Sequence, residues 1–533
     1  MAFFRSLLSF ATVAVSLSQF AECQVGPIAD LHIVNAIVSP DGFSRSAALV
    51  EGQVTGPLLV ANRGETFQLN VINELEDNTM LQSTAIHWHG FFQRGTGWAD
   101  GVISHSVFVK LELKDLFSLL SSRNAPLLTM NPSFIPSIRP KTQGLTGTTL
   151  IYYCDGVRGP MVVYDPNDPH ANLYDVDDAS TVITLADWYH TPARAIVGVG
   201  TPSATLINGL GRQYGSNPPA TDLSVINVKQ GLRYRLRLVN MACDPNYVFQ
   251  IDGHDFTVIE ADGINHEPFT VDSIRIFAGQ RYSLVLNANQ PVGNYWIRAL
   301  PNVASNVFTG GQNMAILRYE GATNAEPTTT QDTSVAPFQE TDLHPLENPG
   351  APGNPTPGDV ETPLRLNITF SGGAFQINGA RYDNPTVPVL LQILSGAQDP
   401  NNLLPAGSVY PVTPGGVVEL VIPGGSAGSP HPFHLHGHAF DVIRSAGSST
   451  YNFVNPPRRD VVSIGGAGDE VTIRFRADNP GPWFLHCHID WHLELGLAVV
   501  FAEDAPSWNT TIDPPPAWDE LCPTYNALDP SEI

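Results

Sequence analysis

The residues best suited to chemistry in this 533-residue chain are His486-Cys487-His488, followed four positions later by His492. Alternate side chains of an extended strand point to opposite faces, so the two flanking histidines are predicted to face one way and the cysteine the other. A thiolate with imidazoles is typical of a mononuclear copper site for electron transfer, whereas imidazoles alone suit copper that meets oxygen. One short strand of this kind can connect an electron-accepting metal to an oxygen-binding metal cluster.

Two further histidine-rich motifs lie far away along the chain. They are His87-Trp88-His89-Gly90 and the run of six residues from His431 to His436, and the three motifs together hold eight of the sixteen histidines. A single His-x-His pair is typical of a solvated strand face, and a lone cysteine is typical of buried packing. Structural zinc sites favour paired cysteines and closed sets of four ligands. The three motifs together therefore predict a site for several copper ions.

These motifs make the chain resemble a fungal laccase of the multicopper oxidase family. His-Trp-His-Gly, His-Pro-Phe-His-Leu-His-Gly-His and His-Cys-His-Ile-Asp-Trp-His are similar to the first, third and fourth copper signatures of that family. Further matching segments are 98–101, 153–156 and 187–190. The resemblance runs from Gly26 to the C-terminus with one interruption. It implies an all-β fold of three consecutive cupredoxin-like Greek-key β-sandwich domains.

Length and composition agree with this expectation. The chain is too long for one hydrophobic core, and its 46 glycines and 45 prolines favour a β architecture rich in turns. We place the three domains at 24–168, 169–337 and 338–533, with a linker rich in proline and glycine at 321–362. The net charge of −24 argues against nucleic acid or an anionic membrane surface as a partner. We expect the chain to act as a monomer.

Internal repeats support the threefold division. Segment 253–259 is similar to 437–443, and segments 67–73, 234–240 and 471–477 share the alternation of a half-buried strand. The middle copy has Gln-Ile-Asp-Gly at 250–253, where the third has His434-Leu435-His436-Gly437. The middle domain is therefore predicted to keep the scaffold and to lack the metal ligands.

The N-terminus predicts export of the protein. Residues 1–23 have the form of a signal peptide, with Arg5 followed by an apolar run, and no other segment is long enough to span a membrane. A secreted, extracellular protein can carry N-glycans, for which Asn367 and Asn509 lie in acceptor sequences. Secretion also permits disulfide bonds.

Five cysteines are divided among several predicted uses. Cys23 leaves with the signal peptide, and Cys487 belongs to the copper motif. Cys154 and Cys243 remain for one disulfide, which is also a pairing that the resemblance implies. Cys522 then has no partner.

The resemblance implies a role for each copper ligand. The type 1 copper, which takes electrons from substrate, would be bound by His431, Cys487 and His492. The type 2 copper would be bound by His87 and His434. Part of the paired type 3 coppers would be bound by His89, His436, His486 and His488. Four coppers can collect single electrons from phenols or aromatic amines and reduce molecular oxygen to water.

Three more residues acquire roles in the same way. Leu497 occupies the axial position of the type 1 site, where a non-coordinating side chain should raise the redox potential. Asp244 matches the carboxylate that accepts a proton from a phenol, and Asp100 matches one that relays protons to oxygen. The alternative is that both are turn residues, because aspartate beside proline or glycine commonly serves turns.

One segment departs from the family. The second copper signature, Trp-Tyr-His-Ser-His, supplies two type 3 ligands and is absent just before Tyr153-Cys154. Residues 102–152 resemble nothing in the family, and three of the four lysines lie there. His105 is not part of a His-x-His pair, and the family's cysteine partner for Cys522 is missing from the same stretch. One replaced segment explains both losses.

The replaced segment has a genetic explanation. Residues 146–152 can be encoded as ACT GGT ACC ACT CTC ATC TAT, which read two bases later gives Trp-Tyr-His-Ser-His-Leu. We therefore hypothesise that 102–152 is retained intron followed by an exon in the wrong frame. A truly diverged loop is the alternative.

Two classes of function remain open. The first is a working laccase-type oxidase whose written sequence is faulty in this segment, and the second is a copper-binding protein that keeps the type 1 site and cannot reduce oxygen. Ascorbate oxidase and ferroxidase are less well supported members of the enzyme class. The number of coppers bound per chain discriminates between the two classes.

Overall fold

A computed structural model describes residues 24–101 and 152–514, apart from positions 386, 388, 398, 400 and 401, together with the backbone of 127–129 and 142–147. The predicted signal peptide, Cys522 and most of the replaced segment lie outside the described residues. Within the described part, no helix is long and apolar enough to cross a membrane.

The first domain is a sandwich of two sheets. Its strands are β1 (Gln24–Val25), β2 (Ile28–Val38), β3 (Arg45–Val50), β4 (Leu58–Asn62), β5 (Gln68–Glu74), β6 (Ile86–Trp88), β7 (Leu127–Thr129), β8 (Thr142–Gly147) and β9 (Arg158–Tyr164). One sheet has the order β1-β4-β9-β8-β6, and the other has the order β3-β2-β5-β7. A short helix, α1 (Tyr152–Asp155), leads into β9.

The second domain is a sandwich of a seven-stranded and a five-stranded sheet. Its strands are β10 (Val182–Trp188), β11 (Ala204–Ile207), β12 (Leu210–Gln213), β13 (Val225–Val228), β14 (Arg233–Asn240), β15 (Tyr247–Ile251), β16 (Phe256–Ala261), β17 (Ile264–Val271), β18 (Ile274–Ile276), β19 (Arg281–Asn287), β20 (Asn294–Pro301) and β21 (Met314–Tyr319). The sheets have the orders β12-β11-β10-β14-β19-β16-β17 and β13-β21-β20-β15-β18.

The third domain follows the linker. Its strands are β22 (Thr362–Arg365), β23 (Ile368–Ser371), β24 (Ala374–Ile377), β25 (Val409–Val412), β26 (Val417–Pro423), β27 (Pro432–Leu435), β28 (Phe440–Arg444), β29 (Arg458–Arg459), β30 (Val461–Ser463), β31 (Glu470–Arg476), β32 (Gly481–Cys487) and β33 (Ala498–Glu503). The two main sheets have the orders β22-β26-β31-β28-β29 and β25-β33-β32-β27-β30, and β23 with β24 forms a hairpin. The helices are α2 (Val389–Leu394), α3 (Asp490–Glu494) and α4 (Trp508–Thr511).

Some of the repeats seen in the sequence correspond to equivalent strands. Segments 67–73 and 234–240 form β5 and β14, which each have a parallel neighbour, β2 and β10, in their sheets. Segment 471–477 forms β31, which pairs with β28 as β19 pairs with β16, so β31 is the equivalent of β19 rather than of β14. The segments after the two Gly-His pairs form the equivalent strands β16 and β28, and both carry a bulge at the same place in these pairings. The predicted all-β architecture of three consecutive sandwiches is confirmed.

Packing of the domains against each other brings distant residues together. One apolar cluster contains Leu31 and Trp88 of the first domain with Phe484 and Val500 of the third. The first and last domains therefore share a continuous core, although several hundred residues separate them in the chain. Linker residue Leu343 packs into the core of the second domain.

Candidate copper centres

The cysteine of the His-Cys-His motif lies at the end of β32, which pairs with β27. The register places Phe433 opposite Cys487 and His434 opposite His486. All seven residues of β32 are buried, as a strand in the middle of a sheet requires. Helix α3 follows at once and returns His492 to the cysteine.

Three ligand atoms form a compact triangle at this point. The Cys487 Sγ atom lies 3.6 Å from Nδ1 of His431 and 3.6 Å from Nδ1 of His492, and the two nitrogens are 3.0 Å apart. A triangle with these sides has a circumscribed radius of about 2.0 Å, close to the bonds of about 2.0–2.3 Å that protein nitrogen and sulfur ligands make to a metal such as zinc. The three residues therefore fit a single copper ion in the trigonal His₂Cys arrangement of a blue copper site.

The surroundings of this triangle are apolar and buried. Leu497 is fully buried, and its carbonyl accepts a hydrogen bond from the Cys487 N–H. The Phe375 ring lies 5.6 Å from the ring of His431 and 5.0 Å from that of His492. Burial lowers the pKa of His431 to about 4 and that of His492 to about 3, with the charge of His431 adding to the second shift. Neutral imidazoles are the form that binds a cation.

A second cluster consists of imidazoles from the first and third domains. Strand β6 and the turn after it contribute His87 and His89. His434 lies on β27 and His486 on β32, and His436 and His488 directly follow these two strands. The Nε2 atoms of His87 and His434 are 3.4 Å apart, close enough for both to bind one ion. The His436 and His486 Nε2 atoms are 3.2 Å apart.

Hydrogen bonds orient four of these rings toward each other. Each Nδ1 lies near a backbone or carboxylate oxygen: His87 near Asp100 O at 2.8 Å, His434 near Asp460 O at 2.9 Å, His436 near Asp100 Oδ2 at 2.7 Å and His486 near Cys487 O at 2.9 Å. A proton on Nδ1 leaves the lone pair of Nε2 free for a metal, and such oxygen partners are usual for histidine ligands. The arrangement therefore fits copper bound through Nε2.

Two other imidazoles complete the cluster and lack hydrogen-bond partners. Both ring nitrogens of His89 and the Nδ1 atom of His488 are buried and unsatisfied. The His89 ring stacks 3.8 Å from the His434 ring and lies 5.1 Å from the His488 ring. Buried unsatisfied nitrogens are costly, and a bound metal would satisfy them. Burial and neighbouring histidines lower the pKa of His89 well below its usual value.

Asp100 lies between two rings of the cluster. Its Oδ2 atom is 2.7 Å from His436 Nδ1, and its Oδ1 atom is 3.2 Å from His87 Nδ1. Burial alone would raise the pKa of this carboxyl, but the charges of His436 and His87 lower it below its usual range. A permanently ionised Asp100 can hold protons on both imidazoles, which is compatible with its predicted relay role.

Asp244 is the second predicted carboxylate, and it directly follows the disulfide-bonded Cys243. Burial raises the pKa of its carboxyl to about 7, and the negative charge of Asp187 adds to the shift. The Asp244 charge also contributes to the raised pKa of the Cys487 thiol, where burial is the main cause. Asp244 is therefore a buried carboxyl poised to exchange a proton near neutral pH.

The other predicted residues are found as follows. Cys154 and Cys243 form a disulfide that joins α1 to the loop before β15. Asn367 and Asn509 are both exposed. His190, in the matching segment 187–190, is hydrogen-bonded to Asp41 rather than to the metal clusters.

Sequence reasoning did not identify two residues that orient copper ligands. The Ser426 hydroxyl lies 2.8 Å from His431 Nε2, and the Asp460 carbonyl accepts from His434. For Asp460, the one sequence pattern that could have indicated a structural role is Arg458-Arg459-Asp460, because consecutive charges within a β-rich region indicate buried ion pairs. No such pattern marks Ser426. In the middle domain, Asp252 forms an ion pair with Arg298 at 2.7 Å in place of a metal ligand.

Proteins of known family share this pattern of sequence and ligands. Three family models described as multicopper oxidase match residues 32–109, 179–322 and 382–507. A laccase from Trametes hirsuta is 56% identical over 537 aligned residues, which cover 99% of both chains. The chain belongs to the laccases of the multicopper oxidase family. The laccase of Phlebia radiata is 55% identical, again over 99% of both chains.

Solved structures support the same family assignment. The laccase from Botrytis aclada superimposes with a TM-score of 0.78 at 28% identity, covering 96% of this chain and 93% of that one. Fet3p, a multicopper oxidase that functions in iron import, gives a TM-score of 0.78 at 23% identity, covering 95% of this chain and 96% of its own, which shows the fold alone. The cupredoxin-like nature of the three laccase domains is thereby confirmed. The first family model ends at residue 109, inside the segment that the sequence marked as replaced.

Proposed function

We propose that this laccase is a secreted, monomeric enzyme that takes single electrons from phenols or aromatic amines and passes them to molecular oxygen, with lignin or related phenolic material as the source. The observation that supports this proposal best is the position of Cys487 in the ligand triangle, directly between His486 and His488 of the imidazole cluster. The exposed Asn367 and Asn509 side chains fit N-glycosylation of an exported protein. We place its domain boundaries near 168 and 337.

Bound copper would supply one-electron acceptance at the cysteine triangle and oxygen reduction at the imidazole cluster. The chain provides a short route for electrons between the cysteine triangle and the imidazole cluster. The Cys487 carbonyl accepts a hydrogen bond from Nδ1 of His486, so the cysteine and an imidazole of the other cluster are joined both through the backbone and through this bond. His488 follows directly in the chain and faces the same cluster.

Protons are handled by two carboxylates. A phenol that lost one electron to copper bound at the cysteine triangle would also lose its hydroxyl proton, and Asp244 would accept that proton to leave a neutral phenoxyl radical. Its raised pKa, about 7, suits a base that must take up and then release a proton. Asp100 holds His436 and His87 in one tautomer and is the group through which protons would reach the oxygen site.

The copper count distinguishes this oxidase from the second candidate. All the ligands that the resemblance assigns to the type 1 and type 2 coppers are present. The described residues offer only two imidazoles to each type 3 copper, from the set His89, His436, His486 and His488. The family provides two more from the second signature. This shortage favours, as a second candidate, a copper protein that retains the type 1 site and cannot reduce oxygen.

The experiment is copper reconstitution of purified full-length protein. Four coppers per chain with oxygen consumption support the oxidase, and about one copper supports the second candidate. In both cases the protein should show the intense blue absorption of a thiolate-to-copper transition, and Cys487→Ser should abolish it. Cys522→Ser is the matched control and should stay blue. Colour that survives Cys487→Ser contradicts the ligand assignment.

A further inference from the structure

Asp187 is a buried carboxylate at the end of β10 whose two oxygens each accept two hydrogen bonds. Its Oδ1 atom accepts from the Cys243 N–H at 2.9 Å and from Arg158 Nη1 at 3.1 Å. Its Oδ2 atom accepts from the Asp244 N–H at 3.2 Å and from the Tyr189 hydroxyl at 2.8 Å. The backbone on both sides of the Cys243–Asp244 peptide is thus fixed by one side chain.

The donors connect this carboxylate to all three domains. Arg158 belongs to β9 of the first domain, and its Nη1 atom also donates to the Met241 carbonyl at 2.8 Å. The Tyr189 hydroxyl accepts a hydrogen bond from Nε1 of Trp491 at 3.1 Å. Trp491 precedes His492 on α3 of the third domain. A continuous chain of hydrogen bonds therefore runs from the Asp244 backbone to the residue beside the copper ligand.

We propose that Asp187 is a positioning residue, which sets the Asp244 carboxylate relative to His492 so that the phenol can lose its proton and its electron at one place. This inference rests on the proposed role of Asp244 as proton acceptor. With copper bound, the phenol proton would pass to the Asp244 carboxylate, the electron would pass to the type 1 copper, and a neutral radical would leave. Because both partners must meet the same hydroxyl group, a small displacement of Asp244 would slow phenols specifically.

The charge of Asp187 should affect the pH dependence of the same step. Its negative charge raises the pKa of Asp244 in addition to burial, which is the larger cause. The other titratable groups whose electrostatics involve Asp187 are Tyr153, Tyr189, Tyr214, Tyr247 and Asp490, with Arg158 as the ion-pair partner. Removal of the Asp187 charge should lower the pKa of Asp244. The rising limb of the phenol rate, which requires ionised Asp244, should then move to lower pH.

The test is anaerobic stopped-flow reduction of the copper-loaded full chain, followed by bleaching of the blue absorption. This readout needs only the type 1 site and no oxygen turnover. A simple phenol is compared with ferrocyanide, which gives an electron and has no proton to lose. In Asp187→Asn the phenol rate should fall about 10-fold or more, while the ferrocyanide rate should stay within about threefold. The pH midpoint of the phenol rate should decrease.

Two further variants make the result decisive. Tyr189→Phe removes the hydrogen bond to Asp187 and the one from Trp491 but keeps the Asp187 carboxylate with its bonds to the Cys243 and Asp244 N–H groups. This variant should slow phenol bleaching, by a smaller factor, without slowing ferrocyanide. Asp255→Asn makes the same chemical change at an exposed position and should leave both rates unchanged. If Asp187→Asn does not form the blue site, Tyr189→Phe decides, and an unchanged phenol rate in that variant overturns the proposal.

Other outcomes separate this inference from the function beneath it. An unchanged phenol rate in Asp187→Asn, or an equal loss for both donors, overturns the positioning role. An unchanged phenol rate in Asp244→Asn overturns the proton-acceptor role itself, whatever the Asp187 variant shows. A phenol-specific loss in Asp244→Asn with no loss in Asp187→Asn leaves the proposed function intact and rejects only the positioning role.

Discussion

Replacing Arg281 with methionine should destabilise the contact between the second and third domains. The Arg281 guanidinium forms two hydrogen bonds with the Asp460 carboxylate, at 2.6 and 2.7 Å, and both side chains are no more than 2% exposed. Removing one partner of a buried pair leaves an uncompensated charge and costs about 3–5 kcal/mol. For a domain of 150–250 residues that unfolds as a unit, about 2–4 °C per kcal/mol applies, which corresponds to a decrease of its unfolding temperature of roughly 6–20 °C.

A second substitution should restore part of this loss. In Arg281→Met with Asp460→Asn the buried charge is gone, and only an amide with unmet hydrogen bonds remains, at a cost of about 1–3 kcal/mol. The double variant should therefore be more stable than the single variant by about 2 kcal/mol. Asp262 keeps its own contact with Arg459, at 2.9 Å, in both variants.

The assay is thermal and urea unfolding of the copper-free chain, so that metal binding does not contribute. Arg365→Met is the matched control, because its ion pair with Glu470 is 2.7 Å long but the arginine is 53% exposed. Exposed pairs contribute about 0–1 kcal/mol. A loss in Arg281→Met as small as that of the control, or a double variant no more stable than the single one, would refute the reasoning. In the copper-loaded protein, the type 2 electron paramagnetic resonance signal should also change, because the Asp460 carbonyl orients His434.

Three further predictions concern single sites. Leu497→Met should supply a weak axial ligand and lower the redox potential of the blue site, as measured by a mediator titration. Leu497→Ile is the control and should leave the potential unchanged. An unchanged potential in the methionine variant contradicts the axial assignment. Asp244→Asn should stabilise the copper-free chain at pH 8. Folding raises the pKa of the Asp244 carboxyl from 3.8 to about 7, so the free energy of unfolding of the parent protein decreases as pH rises through that range. The gain should reach about 4 kcal/mol at pH 8 and vanish near pH 3 in urea unfolding, and a pH-independent difference argues against the shift. The genomic DNA that encodes 146–152 should give Trp-Tyr-His-Ser-His-Leu when it is read two bases later. This segment begins at the end of β8, where Thr146 lies opposite His87. Codons that cannot be shifted in this way reject the mis-splicing hypothesis and favour a copper protein without oxidase activity.

Much of the fold follows from local pattern. Segments with apolar residues at every second position became strands β5, β14 and β31. The pattern did not predict that the charged residues between them would also be buried in β14 and β31, where Arg235 pairs with Glu260 and Arg474 pairs with Glu419. The His-Cys-His order was sufficient to place Cys487 and its neighbours on opposite faces of β32. The absence of ligands at 250–253 was also visible, and the structure fills that region with the Asp252–Arg298 ion pair.

The orienting groups could not be predicted in the same way. His436 meets Asp100 across 336 residues, and Arg281 meets Asp460 across 179. Such contacts depend on how the sandwiches dock, which no local period describes. Asp187 lies in a segment that matches the family, but its role could not be predicted from the sequence. Its hydrogen-bond partners Arg158 and Cys243 come from other parts of the chain.

The division of the imidazole cluster between the two ends of the chain has a consequence for biosynthesis. A nascent polypeptide that ends before the third domain has only His87 and His89 of the cluster, and it lacks the cysteine triangle entirely. The cysteine triangle therefore cannot form until the third domain has left the ribosome, and the imidazole cluster requires in addition that this domain dock on the first. Copper binding at these sites thus requires that the third domain has been synthesised. A polypeptide that ends before this domain cannot form a partly occupied copper site that reacts with oxygen.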